Sequence, residues 1–171
     1  MEAVILECGD FPKKEYPREL LRRADVIICC DRALDTFLRH RDKIFKDLRD
    51  PDAIIGDMDS ISPKHLKEYS RIAIREEEQE TNDQTKAFRY LLEHWPEVKT
   101  VHILGATGKR EAHTLGNLGQ IMEYARLYGA SGNPDVVARG SDDVRAEKSG
   151  EVQFHRGGRP DYGRQTYDRH S

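Results

Sequence analysis

The chain has 171 residues, enough for one domain with a sizeable core, and its 35% charged and 37% hydrophobic residues are typical of a soluble protein. A net charge of −3 lacks the basic excess that nucleic acid or an anionic membrane attracts, so we expect neither as a partner. No apolar run approaches the roughly 20 residues that span a bilayer, and the N-terminus lacks a signal-peptide pattern, so we expect a cytoplasmic protein. The three cysteines lack zinc-ligand spacing, which favours small buried strand residues.

Short apolar runs alternate with segments of helical periodicity up to about residue 129. The run Val26–Cys30 is apolar without alternation, which suits a parallel strand covered on both faces. The patterns predict strands over 3–8, 26–30, 53–55, 72–74 and 101–104, with helices near 17–21, over 34–48, from 62, from 81 and from 115 to about 129. They therefore predict an α/β fold: a doubly wound, mostly parallel, Rossmann-like sheet with helices on both faces and ligands at the carboxyl ends of its strands.

Two of the predicted helices begin with a capping signal. Ser62 is followed by Pro63, which favours a serine cap with proline at the first helical position. Thr81 and Gln84 have the spacing of a capping box for the helix that ends at Pro96. The features expected at the carboxyl ends of the predicted strands are Asp31, Asp57, Asp59 and the Gly105–His113 loop, so four polar features converge on one edge.

Two carboxylates, Asp57 and Asp59, follow the third predicted strand and its closing Gly56. In an extended backbone residues i and i+2 point the same way, so we expect the two carboxylates to share a face. At about 4 Å they would repel by roughly 4 kcal/mol at an effective dielectric of about 20, and a divalent cation cancels that repulsion. All-oxygen ligation suits Mg²⁺. In the structural alternative, Asp57 closes a turn and Asp59 helps to cap the next helix.

A glycine-rich loop, Gly105–His113, follows the fifth predicted strand. Its glycines are too close together for a P-loop, yet a loop between a strand and a helix presents backbone N–H groups to an anion. Lys109 and Arg110 would neutralise phosphate charge there, the arginine by a bidentate fork. The alternatives are a surface turn with two solvated cations and a structural role for His113.

The composition changes from about Ala130, where glycine, arginine, aspartate and serine become dominant. Neither a helical stripe nor a pair of alternating strands is evident, and the apolar area is too small to offset the entropy cost of ordering. We therefore predict an α/β nucleotide-binding domain over residues 1–129 and a disordered, irregular tail over 130–171. Acids are interspersed among the arginines of the tail, which argues against a segment that binds nucleic acid.

Three motifs, in their order and spacing, resemble the thiamine pyrophosphokinase family closely: Gly56–Ser60, Asp83–Lys86 and Gly105–His113. The likeness covers about residues 1–129 and includes the strand end at Cys30 and Asp31. It implies transfer of a pyrophosphoryl group from ATP to the hydroxyl of thiamine, giving thiamine diphosphate and AMP. The partners implied are therefore ATP, as co-substrate, and thiamine, with Mg²⁺ as cofactor.

The resemblance also implies roles for particular residues. The predicted catalytic and Mg²⁺-binding residues are Asp57, Asp59 and Asp83. The predicted nucleotide- and phosphate-binding residues are Asp31, Thr85, Lys86, Gly105, Gly108, Arg110 and His113. From the residues alone, Asp83 would need no function, because a carboxylate is favoured in the first turn of a helix.

The chain departs from the family pattern in three places. Arg32 and Ala33 replace two glycines and Asp35 replaces an asparagine, so we expect bulk and charge where the backbone approaches the substrate. Ala112 replaces the acid before the histidine of the loop, a loss for which Glu111 would partly substitute. The family's C-terminal β-sandwich, which completes the thiamine pocket across a homodimer, is expected to be absent.

These departures leave two rivals to an active enzyme. One is a non-catalytic remnant that binds ATP and Mg²⁺. The other is a metal-dependent phosphohydrolase that uses the same aspartates with water as the nucleophile. A reading frame lost near residue 130 would also explain the change in composition.

Overall fold

The computed structural model of the chain describes residues 1–77, 82–105, 135–139, 144–146, 152–154 and 163–165. The strands are β1 (Glu2–Leu6), β2 (Val26–Cys30), β3 (Ala53–Gly56), β4 (Ala73–Arg75), β5 (Thr100–Leu104), β6 (Asp135–Arg139), β7 (Val144–Ala146), β8 (Val152–Phe154) and β9 (Gly163–Gln165). The helices are α1 (Glu15–Arg23), α2 (Ala33–His40), α3 (Pro63–Glu68) and α4 (Asp83–His94), with 3₁₀ turns at Arg41–Lys43 and Ser70–Ile72. No helix in these ranges is both long and apolar enough to cross a membrane.

Six strands form one parallel sheet in the order β4-β3-β2-β1-β5-β6. From β1 the chain adds strands in one direction as far as β4, and then crosses to the other side of β1 to form β5. The direction therefore reverses between β1 and β5, which is where ligands bind in open α/β sheets. The predicted fold class is confirmed.

Helices cover both faces of the sheet and bury two separate cores. On one face, Phe88 and Leu91 of α4 pack on Ile5, Ile28 and Ile55. On the other face, the core includes Leu20 and Leu21 of α1, Leu34 and Phe37 of α2, and the strand residues Val4, Ile27 and Ile54. Successive strand residues face opposite cores, so all five residues of β2 are buried, which explains why this run shows no alternation. Cys29 and Cys30 are buried in β2 as predicted, and all three cysteines are free.

The helix predicted over residues 34–48 is shorter than expected. It ends at His40, and a 3₁₀ turn at Arg41–Lys43 follows. Arg41 binds the Leu48 carbonyl oxygen at 3.2 Å and the Asp50 carboxylate at 2.5 Å, and it also contacts the Tyr69 hydroxyl at 3.2 Å. These contacts hold a loop in place of two further helical turns, although the apolar residues at 44 and 45 still reach the core.

The segment after residue 129 contains four short strands that the sequence pattern did not indicate. β6 pairs in parallel with β5, from Thr100 opposite Asp135 to Leu104 opposite Arg139. β7, β8 and β9 form a separate antiparallel sheet. The division into a domain over 1–129 and a disordered tail stays a prediction, as does the absence of the β-sandwich. The predicted last helix lies outside the described residues.

The two predicted helix starts differ from expectation in their details. Ser62 is the N-cap of α3 and Pro63 its first residue, but the serine side chain makes no capping hydrogen bond. The capping box from Thr81 is wrong, because the N-cap of α4 is Asn82, whose side-chain oxygen accepts a hydrogen bond from the Thr85 N–H at 3.0 Å. Gln84 is buried at 1% exposure instead of capping the helix from the surface.

This difference between the two caps can be measured. Replacing Asn82 with alanine should lower the free energy of unfolding by about 1 kcal/mol, because an N–H group of the first turn loses its acceptor. Asn82→Asp should retain most of the stability. Ser62→Ala is the matched control and should cost clearly less, since its side chain caps nothing. Urea denaturation of the full chain measures all three changes, and equal costs for Asn82→Ala and Ser62→Ala would contradict the assignment.

Candidate functional site

Four carboxylates gather where the strands end. Glu7 directly follows β1, Asp31 follows β2 and Asp57 follows β3, while Asp83 begins α4. The charges of Asp83 and Asp57 both raise the pKa of Asp31, and the charge of Asp83 also raises the pKa of Glu7. The carboxyl ends of β1, β2 and β3 therefore form one acidic edge, beside the point where the strand order reverses.

Asp31 occupies the centre of this edge in an unusual backbone conformation. Its φ angle is 49°, in the left-handed region that residues other than glycine rarely adopt. Its N–H donates to the Ile55 carbonyl oxygen at 2.9 Å, and its carboxylate accepts a hydrogen bond from the Met58 N–H at 3.0 Å. The residue is only 8% exposed. Asp31 thus ties the end of β2 to the loop after β3, and backbone strain of this kind is typical of functional sites.

Gly56 makes room for that carboxylate. It has a φ of +151°, and a Cβ atom built on it would lie 2.7 Å from Cγ of Asp31 and 2.8 Å from one of its oxygens. Both distances are too short for real contacts, so glycine is required by space as well as by conformation. The glycine that the sequence pattern treats as a strand end is therefore also part of the site.

The crowding of carboxylates changes the acidity of Asp31. Burial is the largest cause that raises its pKa, from 3.8 to about 7, followed by the charges of Asp83 and Asp57 and a hydrogen bond with Asp83. The hydrogen bond from the Met58 N–H acts in the opposite direction. The raised pKa shows that ionised carboxylates at this edge repel one another, and a bound cation would relieve that repulsion.

Glu7 belongs to the same cluster, although the sequence pattern did not single it out. Burial raises its pKa from 4.5 to about 8, the charge of Asp83 raises it further, and a contact with the Cys30 thiol at 3.7 Å lowers it. The available signal was an acid placed directly after a buried strand, which is the signal that identified Asp31. The neighbouring Cys8 and Gly9 obscured it, because they extended the apolar run to its turn.

Asp57 and Asp59 are not arranged as an extended strand would arrange them. β3 ends at Gly56, and Met58 between the two aspartates has a φ of 70°. The Asp59 N–H donates to the Asp57 carboxylate at 2.9 Å, which closes a turn. The expected extended backbone is therefore wrong, and the turn proposed as the structural alternative is present. Asp57 is half-buried beside Asp31, whereas the side chain of Asp59 is 81% exposed and lies 4.0 Å from Arg75.

Lys86 supplies a positive charge from α4 to this edge. Its side chain is 6% exposed, and its Nζ lies 3.8 Å from the Asp83 carboxylate and donates to the Glu76 carbonyl oxygen at 3.2 Å. The Thr85 N–H is occupied by the Asn82 cap. The start of α4 thus brings Asp83 and Lys86 together, while the phosphate contacts of Thr85 and Lys86 stay predictions.

Gly105 directly follows β5, beside the acidic edge. Its φ is +70°, and an added Cβ would lie 2.8 Å from the Glu7 carbonyl oxygen, so only glycine fits without movement of the backbone. The Gly9 N–H donates to the Gly105 carbonyl oxygen at 2.7 Å. This hydrogen bond holds the loop that follows β1 against the residue that follows β5. The other predicted residues of this loop lie outside the described residues: Gly108, Lys109, Arg110, Glu111, Ala112 and His113.

The donors at this edge fit Mg²⁺ in part. Carboxylate oxygens that repel one another are the ligands that the ion prefers. Within residues 1–77 and 82–105, no group of three or more His, Cys, Asp or Glu side chains is placed to hold a metal ion together. Mg²⁺ commonly uses one or two carboxylates, with waters and substrate phosphates completing its shell. The edge therefore suits an ion that arrives with a phosphorylated ligand better than one held by the protein alone.

Two of the replaced family positions have a clear structural explanation. Arg32 is the N-cap of α2 with φ −66° and ψ −2°, and Ala33 is the first residue of that helix, so neither position needs the conformational freedom of glycine. Asp35 points to α3, where it accepts a hydrogen bond from the Ser62 N–H at 3.0 Å and contacts His65 Nδ1 at 2.5 Å. The strain in this turn falls on Asp31 instead.

Comparison with known proteins identifies relatives of this arrangement. Residues 17–128 match the family described as thiamin pyrophosphokinase, catalytic domain. No curated protein matches the chain at significant similarity.

Solved structures share the fold. Yeast thiamin pyrophosphokinase is similar with a TM-score of 0.68 and 17% identity, over 90% of this chain and 60% of that one. The Candida albicans enzyme has a TM-score of 0.65 and 19% identity, over the same shares. The Bacillus subtilis protein has a TM-score of 0.58 and 23% identity, over 81% of this chain and 60% of that one. The chain thus spans about 60% of the length of these structures.

The contact between Gly56 and Asp31 can be tested by a double substitution. Gly56→Ala should lower the free energy of unfolding by about 2–4 kcal/mol, because the new Cβ meets the carboxylate and the backbone is strained. In an Asp31→Ala background the same change should cost at least about 1 kcal/mol less, since the clash is then removed. Gly9→Ala, at a glycine without a positive φ, is the control. Fully additive costs in urea denaturation would show that the two groups do not meet.

The raised pKa values of Glu7 and Asp31 predict an unusual dependence of stability on pH. Folded-state values of about 8 and about 7 lie above the ordinary 4.5 and 3.8, so the folded chain binds more protons than the unfolded chain across that range. Stability without divalent cations should therefore fall as the pH rises from 5 to 8, at up to about 1.4 kcal/mol per pH unit for each of the two carboxyl groups while it stays protonated in the folded chain.

Urea denaturation in the presence of a chelator measures this fall. Glu7→Gln should flatten the profile, while Glu93→Gln, at an exposed position on α4, should leave it unchanged. A parent chain whose stability rises over this range would contradict the burial of these carboxyl groups.

Proposed function

This chain belongs to the thiamin pyrophosphokinase family, and on that basis we propose that it transfers a pyrophosphoryl group from ATP to the hydroxyl of thiamine, giving thiamine diphosphate and AMP. The observation that best supports the proposal is the acidic edge, where the charges of Asp57 and Asp83 both raise the pKa of the buried Asp31. Their mutual repulsion favours binding of a divalent cation together with the phosphates of a nucleotide.

The proposed metal ligands are Asp57 and Asp83, with Asp59 as a further ligand from the same turn. Bound Mg²⁺ would neutralise the triphosphate and the charge that develops during transfer. Asp59 is exposed beside Arg75, so it is free to turn towards a ligand that enters from solvent. Asp31 has a different role, because its carboxylate holds the Met58 N–H and so fixes the loop that carries the other two acids.

Positive charge for the phosphates comes from α4 and from the glycine loop. Lys86 is held close to Asp83, which places its charge beside the proposed metal position. We propose further phosphate contacts for Thr85, Gly105, Gly108, Arg110 and His113. Transfer of this kind needs aligned reactants and neutralised charge more than it needs a covalent nucleophile, and no such nucleophile is part of the proposal.

The acceptor half of the reaction rests on family membership. The chain spans about 60% of the length of the solved relatives, so thiamine as the acceptor and the homodimer are proposals of the same kind.

The experiment is a titration of the full chain with ATP, with and without Mg²⁺, followed by an assay for AMP in the presence of thiamine. The parent should bind ATP in a metal-dependent way and form AMP only when thiamine is present. Asp57→Asn and Asp83→Asn should each weaken binding of ATP at least about tenfold with Mg²⁺, because a charged ligand is lost. Asp47→Asn, at an exposed position away from the edge, is the control.

The results separate the candidate functions. Formation of AMP that requires thiamine supports the transferase. Release of phosphate or pyrophosphate without thiamine would indicate a phosphohydrolase. Metal-dependent binding of ATP without any product would leave a binding protein. Equal affinity for ATP in the parent and in both variants would contradict the assignment of Asp57 and Asp83.

A further inference from the structure

Arg32 stands out at the acidic edge because it is an exposed cation without a partner among the described residues. It follows Asp31 directly and is the N-cap of α2. Its carbonyl oxygen accepts a hydrogen bond from the Asp35 N–H at 3.0 Å, but its side chain makes no hydrogen bond or ion pair with any residue of the described ranges. Four carboxylates lie around the same strand ends, so the absence of an ion pair within these ranges leaves its guanidinium available to a ligand.

The position of Arg32 also brings it towards the end of β1. Burial is the main cause that raises the pKa of the Cys8 thiol to about 11, and the charge of Glu7 raises it further. The N–H of Ala33 and the charge of Arg32 both lower it, which places the guanidinium within electrostatic reach of Cys8. Cys8 itself donates to the Cys30 carbonyl oxygen at 3.0 Å. Arg32 therefore stands between the end of β2 and the start of α2, with its charge within reach of Cys8 beyond the end of β1.

Two other cations of this edge are already committed to protein groups. Lys86 is buried against Asp83 and the Glu76 carbonyl oxygen. Arg75 lies between Asp59 and Glu77, at 4.0 and 3.9 Å from their carboxylates. Arg32 differs from both because its charge has no counter-ion in the part of the chain that the structure describes, and the N-terminus of the eight-residue helix α2 adds partial positive charge beside it.

We propose that Arg32 binds the polyphosphate of the nucleotide, at a position where the family pattern has glycine. The inference rests on the proposed function, since it assigns a further residue to the same site. A planar guanidinium with five donors suits two phosphate oxygens at once. The carboxylates and their cation would hold one side of the polyphosphate, and Arg32 would neutralise the side that faces α2.

The backbone conformation and the exposure of Arg32 favour phosphate binding by this residue over obstruction of the site. Arg32 has ordinary right-handed angles, so it replaces glycine without strain. Its side chain is exposed and is not packed into the space between the strands. An arginine that merely blocked the site would weaken binding of ATP, and its removal would then improve affinity.

The test compares four variants of the full chain by isothermal titration with ATP, AMP and inorganic tripolyphosphate, all with Mg²⁺. Arg32→Gln and Arg32→Gly should each weaken binding of ATP and tripolyphosphate about tenfold, and binding of AMP less than about twofold. Arg32→Lys should fall between these variants and the parent, because it keeps the charge but not the fork. Arg39→Gln, at an exposed position in the last turn of α2, is the matched control and should change affinity less than about twofold.

Each result decides between this inference and the proposed function. Tighter binding of ATP by Arg32→Gly would overturn the inference and show obstruction. Unchanged affinity in both Arg32→Gln and Arg32→Gly would overturn it as well, while metal-dependent binding of ATP by the parent would leave the proposed function standing. Binding of tripolyphosphate that depends on Arg32, without binding of ATP, would support the anion site and contradict the nucleotide function. A parent that binds neither ligand would overturn both.

Discussion

The architecture of the site depends on the carboxylate of Asp31, which is held between two strand ends. Its own backbone is in the left-handed region, it accepts a hydrogen bond from the Met58 N–H, and its carboxyl group fills the space that a side chain at position 56 would need. The contact between Asp31 and the loop after β3 forms only when all three conditions are met. The loop after β2 and the loop after β3 are therefore held in one position relative to each other. The positions of Asp57 and Asp59 follow from it.

The same contact concentrates negative charge that the protein only partly neutralises. Glu7, Asp31, Asp57 and Asp83 come from four different elements. Besides burial, the charges of Asp83 and Asp57 raise the pKa of Asp31, and the charge of Asp83 raises the pKa of Glu7. Lys86 offsets part of this charge from within α4. A site that is unfavourable when empty gains more from binding a cation and its phosphates, which connects the electrostatics of the fold to the chemistry of the family.

Sequence patterns located most of the described site but did not determine its geometry. Asp31 and Asp57 were expected at one edge because acids that follow buried strands meet at the carboxyl ends of a parallel sheet, whereas Asp83 was indicated only by the resemblance to the family. Glu7 was overlooked, although it has the same placement, and Asp59 was expected on a shared face that the turn at Met58 does not provide. A left-handed residue at a position other than glycine has no reliable signature in a single sequence, since it forms only when tertiary contacts compensate for its strain.

The sequence alone determined the fold class, the order of the elements from β1 to β5 and the edge of the sheet at which ligands are expected, because these depend on hydrophobic periodicity and on the position of breaking residues along the chain. Only the tertiary structure decided which carboxylates change the pKa values of Asp31 and Glu7, and why glycine is needed at positions 56 and 105. It also decided that the side chain of Arg32 has no counter-ion in the described residues. It also decided that strands occur after residue 129, where the pattern indicated none. The physical reason is that burial, pKa and the pairing of charges are properties of groups brought together from distant positions, and local sequence does not encode the distances between them.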